Sequence, residues 1–132
     1  IDVMQAAFDA AEASTVDAEP VRRIGVHVRA HLAALFENGP YTAAHVTTFR
    51  TSPEVVRDAV VPIRDAYEAR WTDLLLQLQR DGRLRADADV NISRLTLFGA
   101  MNSSIEWFDP TRGNLDRFAE SITTQFWHGV AA

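Results

Sequence analysis

Apolar residues recur in steps of three and four along every long segment of this chain, and that spacing most limits what it can fold into. A period near 3.6 lines one face of an α-helix, whereas a half-buried strand would alternate every second residue. Val21, Ile24, Val28, Leu32 and Leu35 form one such stripe, Val56, Val60, Ile63, Tyr67, Trp71, Leu74 and Leu78 a second, and Leu115, Phe118, Ile122, Phe126 and Val130 a third. Alternating strand patterns are missing and only six glycines occur in 132 residues. The fold class is therefore all-α. The length suits one domain over 1–132, and 47% hydrophobic residues suffice for a packed core.

The breaks between stripes place about six helices. The first covers Ile1 to Ala13, with Met4, Phe8 and Ala11 on one face, and Ser14 and Thr15 end it. The second runs from about Ala18 to Glu37 and stops at Asn38-Gly39-Pro40, a glycine cap followed by a proline that cannot continue the helix. A short helix is expected over Tyr41 to Phe49. The next begins with Ser52 as N-cap, Pro53 at the first helical position and Glu54 at the positive end, and closes at Asp81-Gly82. Pro62 inside it removes one backbone bond and is expected to kink or break the helix near Asp58. Asp87 or Asp89 caps a helix from Val90 to Phe108, and the last helix runs from Asn114 to Val130.

The helix from Val90 to Phe108 is apolar on more than one face. Ile92, Leu95, Phe98, Asn102 and Ile105 form one stripe, Leu97, Met101, Ser104 and Phe108 another, and Thr96, Gly99, Ser103 and Trp107 a third with a small centre. Such a helix is buried on more than one side. In a chain this small the second side points to a partner subunit, because the surplus apolar surface exceeds what soluble monomers leave open. Gly99 and Ser103 permit close backbone approach across a two-fold axis. Gly99, Ser103, Trp107, Phe118, Ile122 and Phe126 are the candidate interface residues. A glycine merely tolerated inside one subunit's core is the alternative.

The charge balance excludes several functions. The formal net charge is −5, and all thirteen positive residues are arginine. Arginine without lysine reads as the codon usage of a GC-rich genome. Only Arg80, Arg83 and Arg85 cluster, at a turn, so the chain by itself is not expected to hold DNA. Cysteine is absent, which excludes disulfides and thiol chemistry and suits a reducing cytoplasm. No apolar run approaches a membrane span. The helical pattern is already under way at Ile1, so the chain reads as trimmed at its N-terminus.

Catalysis and metal binding find little support. Asp65 and Glu68 are paired acids of the kind that solvated faces carry, and Ser103 and Ser104 lack a nucleophile-elbow context and a base. His27 and His31 stand four apart on one face, but two ligands do not make a site without convergence of His45, and no HExxH pattern accompanies them. The plainer reading makes them polar groups edging the Val28 stripe. No cofactor, metal or catalytic residue is assigned. A small-molecule site is better supported. Phe49, Tyr67, Trp71, Phe98, Met101 and Asn102, with His31 and His45 as polar points, would give mostly apolar walls with a few oriented polar groups. Asn102 interrupts an apolar stripe, and its amide needs a partner, either a ligand carbonyl or a neighbouring group.

The C-terminal third, QRDGRLRADADVNISRLTLFGAMNSSIEWFDPTRGNLDRFAESITTQFWHGV, resembles the end of TetR-family transcriptional regulators. The residues that carry the resemblance are the glycine turn of Gly82, Leu84 and Arg85, then the acidic helix start at Asp87 and Asp89. Next come an apolar helix with Gly99 at its centre and Trp107 near its end, the Pro110–Gly113 loop, and a last helix closing on Phe126 and Gly129. Asn102 to Trp107 is similar to members that respond to fatty-acyl or steroid-acyl thioesters. The resemblance implies an effector-binding and dimerisation domain, a homodimer joined through the last two helices as a four-helix bundle, and a small apolar or amphipathic effector inside each subunit. It also implies DNA binding through an N-terminal helix-turn-helix that has no counterpart in these residues, with repression as the expected role. A stand-alone helical small-molecule carrier or protein-interaction module is the alternative.

Overall fold

The computed structural model of the chain describes residues 2–37 and 53–132, and among these every regular element is helical. Five α-helices follow in order: α1 over Asp2–Ser14, α2 over Pro20–Glu37, α3 over Glu54–Arg80, α4 over Val90–Ser103 and α5 over Leu115–Val130. The short helix expected at Tyr41 to Phe49 lies outside the described residues, as do Ser52 and the Asn38-Gly39-Pro40 stop.

Local chemistry explains the boundaries. Ser14 and Thr15 end α1 by turning their hydroxyls back on the Ala11 carbonyl, at 3.1 and 2.6 Å, which satisfies a carbonyl the next turn would have used. Pro20, with no N–H to lose, is the first residue of α2, two positions later than the sequence pattern placed the start. Pro53 occupies the N-cap of α3 rather than its first turn. Gly82 ends that helix in the left-handed region at φ +75°, the conformation a side chain resists. Asp89 caps α4 through the Ile92 N–H at 3.1 Å, and Asn114 caps α5 through the Arg117 N–H at 3.1 Å.

Two expectations need correction. Of the kink or break expected at Pro62, the break does not occur: α3 continues unbroken from Glu54 to Arg80. One missing backbone bond is not enough to end a helix of 27 residues whose C-terminal half is fixed by packing. The helix from Val90 does not reach Phe108 as regular α-helix. It tightens into a 3-10 turn over Ser104–Glu106, where the buried Ser104 hydroxyl bonds the Met101 carbonyl at 2.5 Å.

The core lies around α2, which packs along both α1 and α5 and makes a smaller contact with α4, while α3 pairs with α4. Ile24, Val28, Leu32 and Leu35 of α2 are each at most 1% exposed, as the stripe requires. Trp71, Leu75, Leu97 and Met101 close the same core from α3 and α4. The stripe on α3 is buried only from Tyr67 onward; Val56 and Ile63 are exposed. The chain end is fastened to the turn after α3: the Arg85 N–H donates to the Val130 carbonyl at 2.8 Å, and the Ala132 N–H donates to the Arg83 carbonyl at 3.0 Å. Leu84, between them, is buried.

Candidate functional site

Four helices bring aromatic and polar side chains to one buried cluster. α1 supplies Phe8, α2 supplies His27 and His31 one turn apart, α3 supplies Tyr67 and Trp71 one turn apart, and α4 supplies Phe98, Met101 and Asn102. The i, i+4 spacing on α2 and α3 stacks each pair on a single inward face. Trp71 sits at the centre, fully buried, with edge contacts to Phe8 at 5.8 Å, His27 at 5.8 Å and Phe98 at 5.7 Å between ring centroids.

His31 is the polar hub. Its Nδ1 lies 2.7 Å from the Tyr67 hydroxyl and its Nε2 lies 2.8 Å from Asn102 Oδ1. The Asn102 carbonyl oxygen can only accept, so Nε2 carries the hydrogen and donates to it; Nδ1 then accepts from the Tyr67 O–H. This is a neutral imidazole with both nitrogens satisfied, and it links α2, α3 and α4. Burial pushes the His31 pKa down to about 4, against the opposing bond to Asn102. Burial likewise raises the Tyr67 hydroxyl well above its ordinary value, so it stays a donor. Its smaller opponents are the neighbouring Trp71 indole and the Arg70 charge. The Trp71 indole N–H closes no hydrogen bond of ordinary geometry and stands as an open donor inside the cluster.

His27 is equally buried but differently held. Its Nδ1–H donates to the Arg23 carbonyl at 2.7 Å, and its Nε2 faces Glu12 at 3.6 Å without a hydrogen bond. Burial lowers its pKa, with the Arg23 carbonyl and Glu12 opposing. Both histidines thus lie inside the core instead of edging the Val28 stripe, at 1% and 2% exposure. No group of three or more metal-ligating side chains occurs among the described residues, and His45, which would have to converge on the two histidines, lies outside them.

Of the candidate ligand contacts, His31, Tyr67, Trp71, Phe98, Met101 and Asn102 converge, while Phe49 and His45 lie outside the described residues. Sequence reasoning overlooked Phe8, whose ring meets His27 at 4.6 Å, Trp71 and Tyr67. The signal was present, since Phe8 stands on the inward stripe of the first helix. It also passed over Arg94, one turn before Phe98.

The candidate interface residues fall on the outer face of α4 and the flank of α5. Gly99 and Ser103 are exposed, and a Cβ built on Gly99 meets nothing within 4 Å. Ile92 and Leu95 on α4 and Trp107 just past its 3-10 end are 57%, 54% and 62% exposed, which leaves apolar surface open on this side. Phe118 and Ile122 are half-buried beside it, with the Trp107 ring 5.1 Å from Phe118. Phe126 is buried in the subunit's own core.

The sequence profile of the family described as tetracyclin repressor-like, C-terminal domain, matches residues 17–130. The chain belongs to that family, and is thus a ligand-binding and dimerisation type of domain from transcription regulators, which are not enzymes. In fold it is similar to the TetR family transcriptional regulator PfmR from Thermus thermophilus, with a TM-score of 0.78 and 20% identity over 96% of this chain and 69% of that one. It is also similar to the ketosteroid transcriptional regulator KstR2 of Mycobacterium tuberculosis, with a TM-score of 0.77 and 19% identity over 99% of this chain and 67% of that one. A structure described as superantigen pfit matches with a TM-score of 0.69 and 23% identity, over 97% of this chain and 66% of that one. The chain thus spans about two thirds of the length of each. No curated protein matches it.

Proposed function

We propose that this domain is the homodimeric effector sensor of a bacterial, cytoplasmic TetR-type repressor, and that a small, largely apolar effector enters at the aromatic cluster around His31. The observation that carries the reading is the Tyr67–His31–Asn102 relay, because one buried polar chain joins three helices inside apolar walls. A ligand that inserts beside it changes the spacing of α2, α3 and α4 together. Such a ligand biases the subunit between arrangements only to the extent that it binds one better. The open apolar surface of Ile92, Leu95, Gly99 and Trp107, with the adjoining flank of α5, supports pairing of two subunits as a four-helix bundle. DNA binding belongs to an N-terminal helix-turn-helix outside these 132 residues. The bacterial regulators that share the fold support this assignment. Among the described residues no helix is long and apolar enough to cross a membrane.

The test is a thermal-shift screen of apolar metabolites against the wild type and a Trp71→Leu variant. A ligand that raises the melting temperature of the wild type but not of the variant is the expected result. Equal shifts in both proteins would move the effector site elsewhere.

A further inference from the structure

We propose that the effector carries an oxyanion, a carboxylate or a phosphate, and that Arg94 binds it. The inference rests on the effector reading of the aromatic cluster and gives that site a charged end. Arg94 stands on α4 one turn before Phe98, which in turn stands one turn before Asn102. Its guanidinium carbon lies 5.7 Å from the centroid of the Phe98 ring, the ring that packs on His31 at 5.3 Å. The side chain is 15% exposed, and its Nε and Nη1 atoms are shut off from solvent without any hydrogen-bond partner.

An arginine is always charged, and burying its N–H groups unpaired is unfavourable. The acid beside it, Glu68, does not resolve this. Its Oε1 stays 3.7 Å from Arg94 Nη1, and it is shared with Arg64 at 3.8 Å. Among the described residues no side chain or carbonyl fills these open donors, which leaves them to an acceptor from outside. Carboxylate and phosphate oxygens are the acceptors whose geometry and charge match a guanidinium best. Arg94, Phe98 and Asn102 lie in one line along α4, a cation, a ring and an amide over about 12 Å of helix. The arrangement fits an amphipathic molecule with an apolar body over Phe98 and its anionic end at Arg94.

The experiment compares melting temperatures and calorimetric Kd values of the protein with straight-chain and cyclic carboxylic acids of graded size, their methyl esters, and alkyl phosphates of the same bodies. The expected result is at least one acid or alkyl phosphate that binds tenfold or more tightly than its ester. Arg94→Gln should abolish that preference while ester affinity stays within about twofold, and Glu68→Gln should keep it. The acid and phosphate arms decide which oxyanion is taken. If Arg94→Gln does not fold, Arg94→Met serves in its place. Acids and esters binding alike, or a preference that survives loss of Arg94, would overturn the inference and leave the effector site standing. If no compound of any series binds, the effector reading at this cluster falls with it.

Discussion

The rings of His31 and Tyr67 lie nearly parallel, 22° apart with centroids at 5.8 Å, while the Tyr67 hydroxyl reaches His31 Nδ1 at 2.7 Å. Stacking and hydrogen bonding thus act between the same two side chains, one from α2 and one from α3. Burial keeps this imidazole neutral, the bonds to Tyr67 and Asn102 fix its tautomer, and the interior of the domain is thereby sensitive to acid.

That sensitivity has a definite sign. His31 titrates at about 4 in the folded chain, below its ordinary value of 6.5. The unfolded chain therefore binds more protons between these values. The stability His31 allows is complete above pH 6.5 and is lost as pH falls toward 4. His27, also lowered, adds in the same direction. Urea unfolding at pH 7 and pH 5 should show that the wild type loses about 2 kcal/mol more than His31→Gln over that interval. Equal losses would place the acid sensitivity elsewhere.

Tyr67→Phe keeps the ring and removes the hydroxyl. Nδ1 of His31 is then a buried acceptor with no donor, a change that costs about 1–3 kcal/mol. Chemical denaturation at pH 7 checks the size, and an unchanged midpoint would show that water or a neighbour replaces the bond.

Gly99→Leu separates folding from association. The position is exposed and an added Cβ meets nothing within 4 Å, so the larger side chain is directed at the interface and not at the subunit's core. Light scattering should report a dimer for the wild type and a monomer for the variant, with helical circular dichroism retained. A variant that stays dimeric would remove Gly99 from the interface.

Gly82→Ala probes the turn after α3. With φ at +75° and nothing within 4 Å of a built Cβ, the cost is one of backbone conformation alone. It should come to about 1 kcal/mol, and Gly82→Asn should cost less, because asparagine tolerates that region. Thermal unfolding of the three proteins gives the order.

Much of the helical order was legible in the chain. Met4, Phe8 and Ala11, or Ile24, Val28 and Leu32, announce an inward face through spacing alone, and Asp89, Asn114 and Gly82 announce helix ends through local bonding. The α3 stripe misled at Val56 and Ile63, because periodicity marks a face without saying what covers it. The apolar surplus of α4 was also legible, but the large apolar residues left open on it are Ile92 and Leu95, which spacing had grouped with the buried Phe98. The histidines were harder. The sequence grouped His31 with Tyr67 and Asn102 as candidate pocket residues, but only packing sets its hydrogen bonds to them across 36 and 71 positions.

Spacing and caps thus settle local matters: which segments coil, where they stop and which face of each turns inward. These follow from a 3.6-residue period and from bonds that act over three or four residues. The chemistry of the interior came from packing alone. Bringing α2 against α3 and α4 turned two histidines from edge residues into buried neutral bases. It gave one of them two partners and left two nitrogens of Arg94 and the Trp71 indole N–H without a hydrogen bond of ordinary geometry. The physical reason is that hydrogen bonds and desolvation depend on distances in space, and helix packing fixes those between residues far apart in the chain.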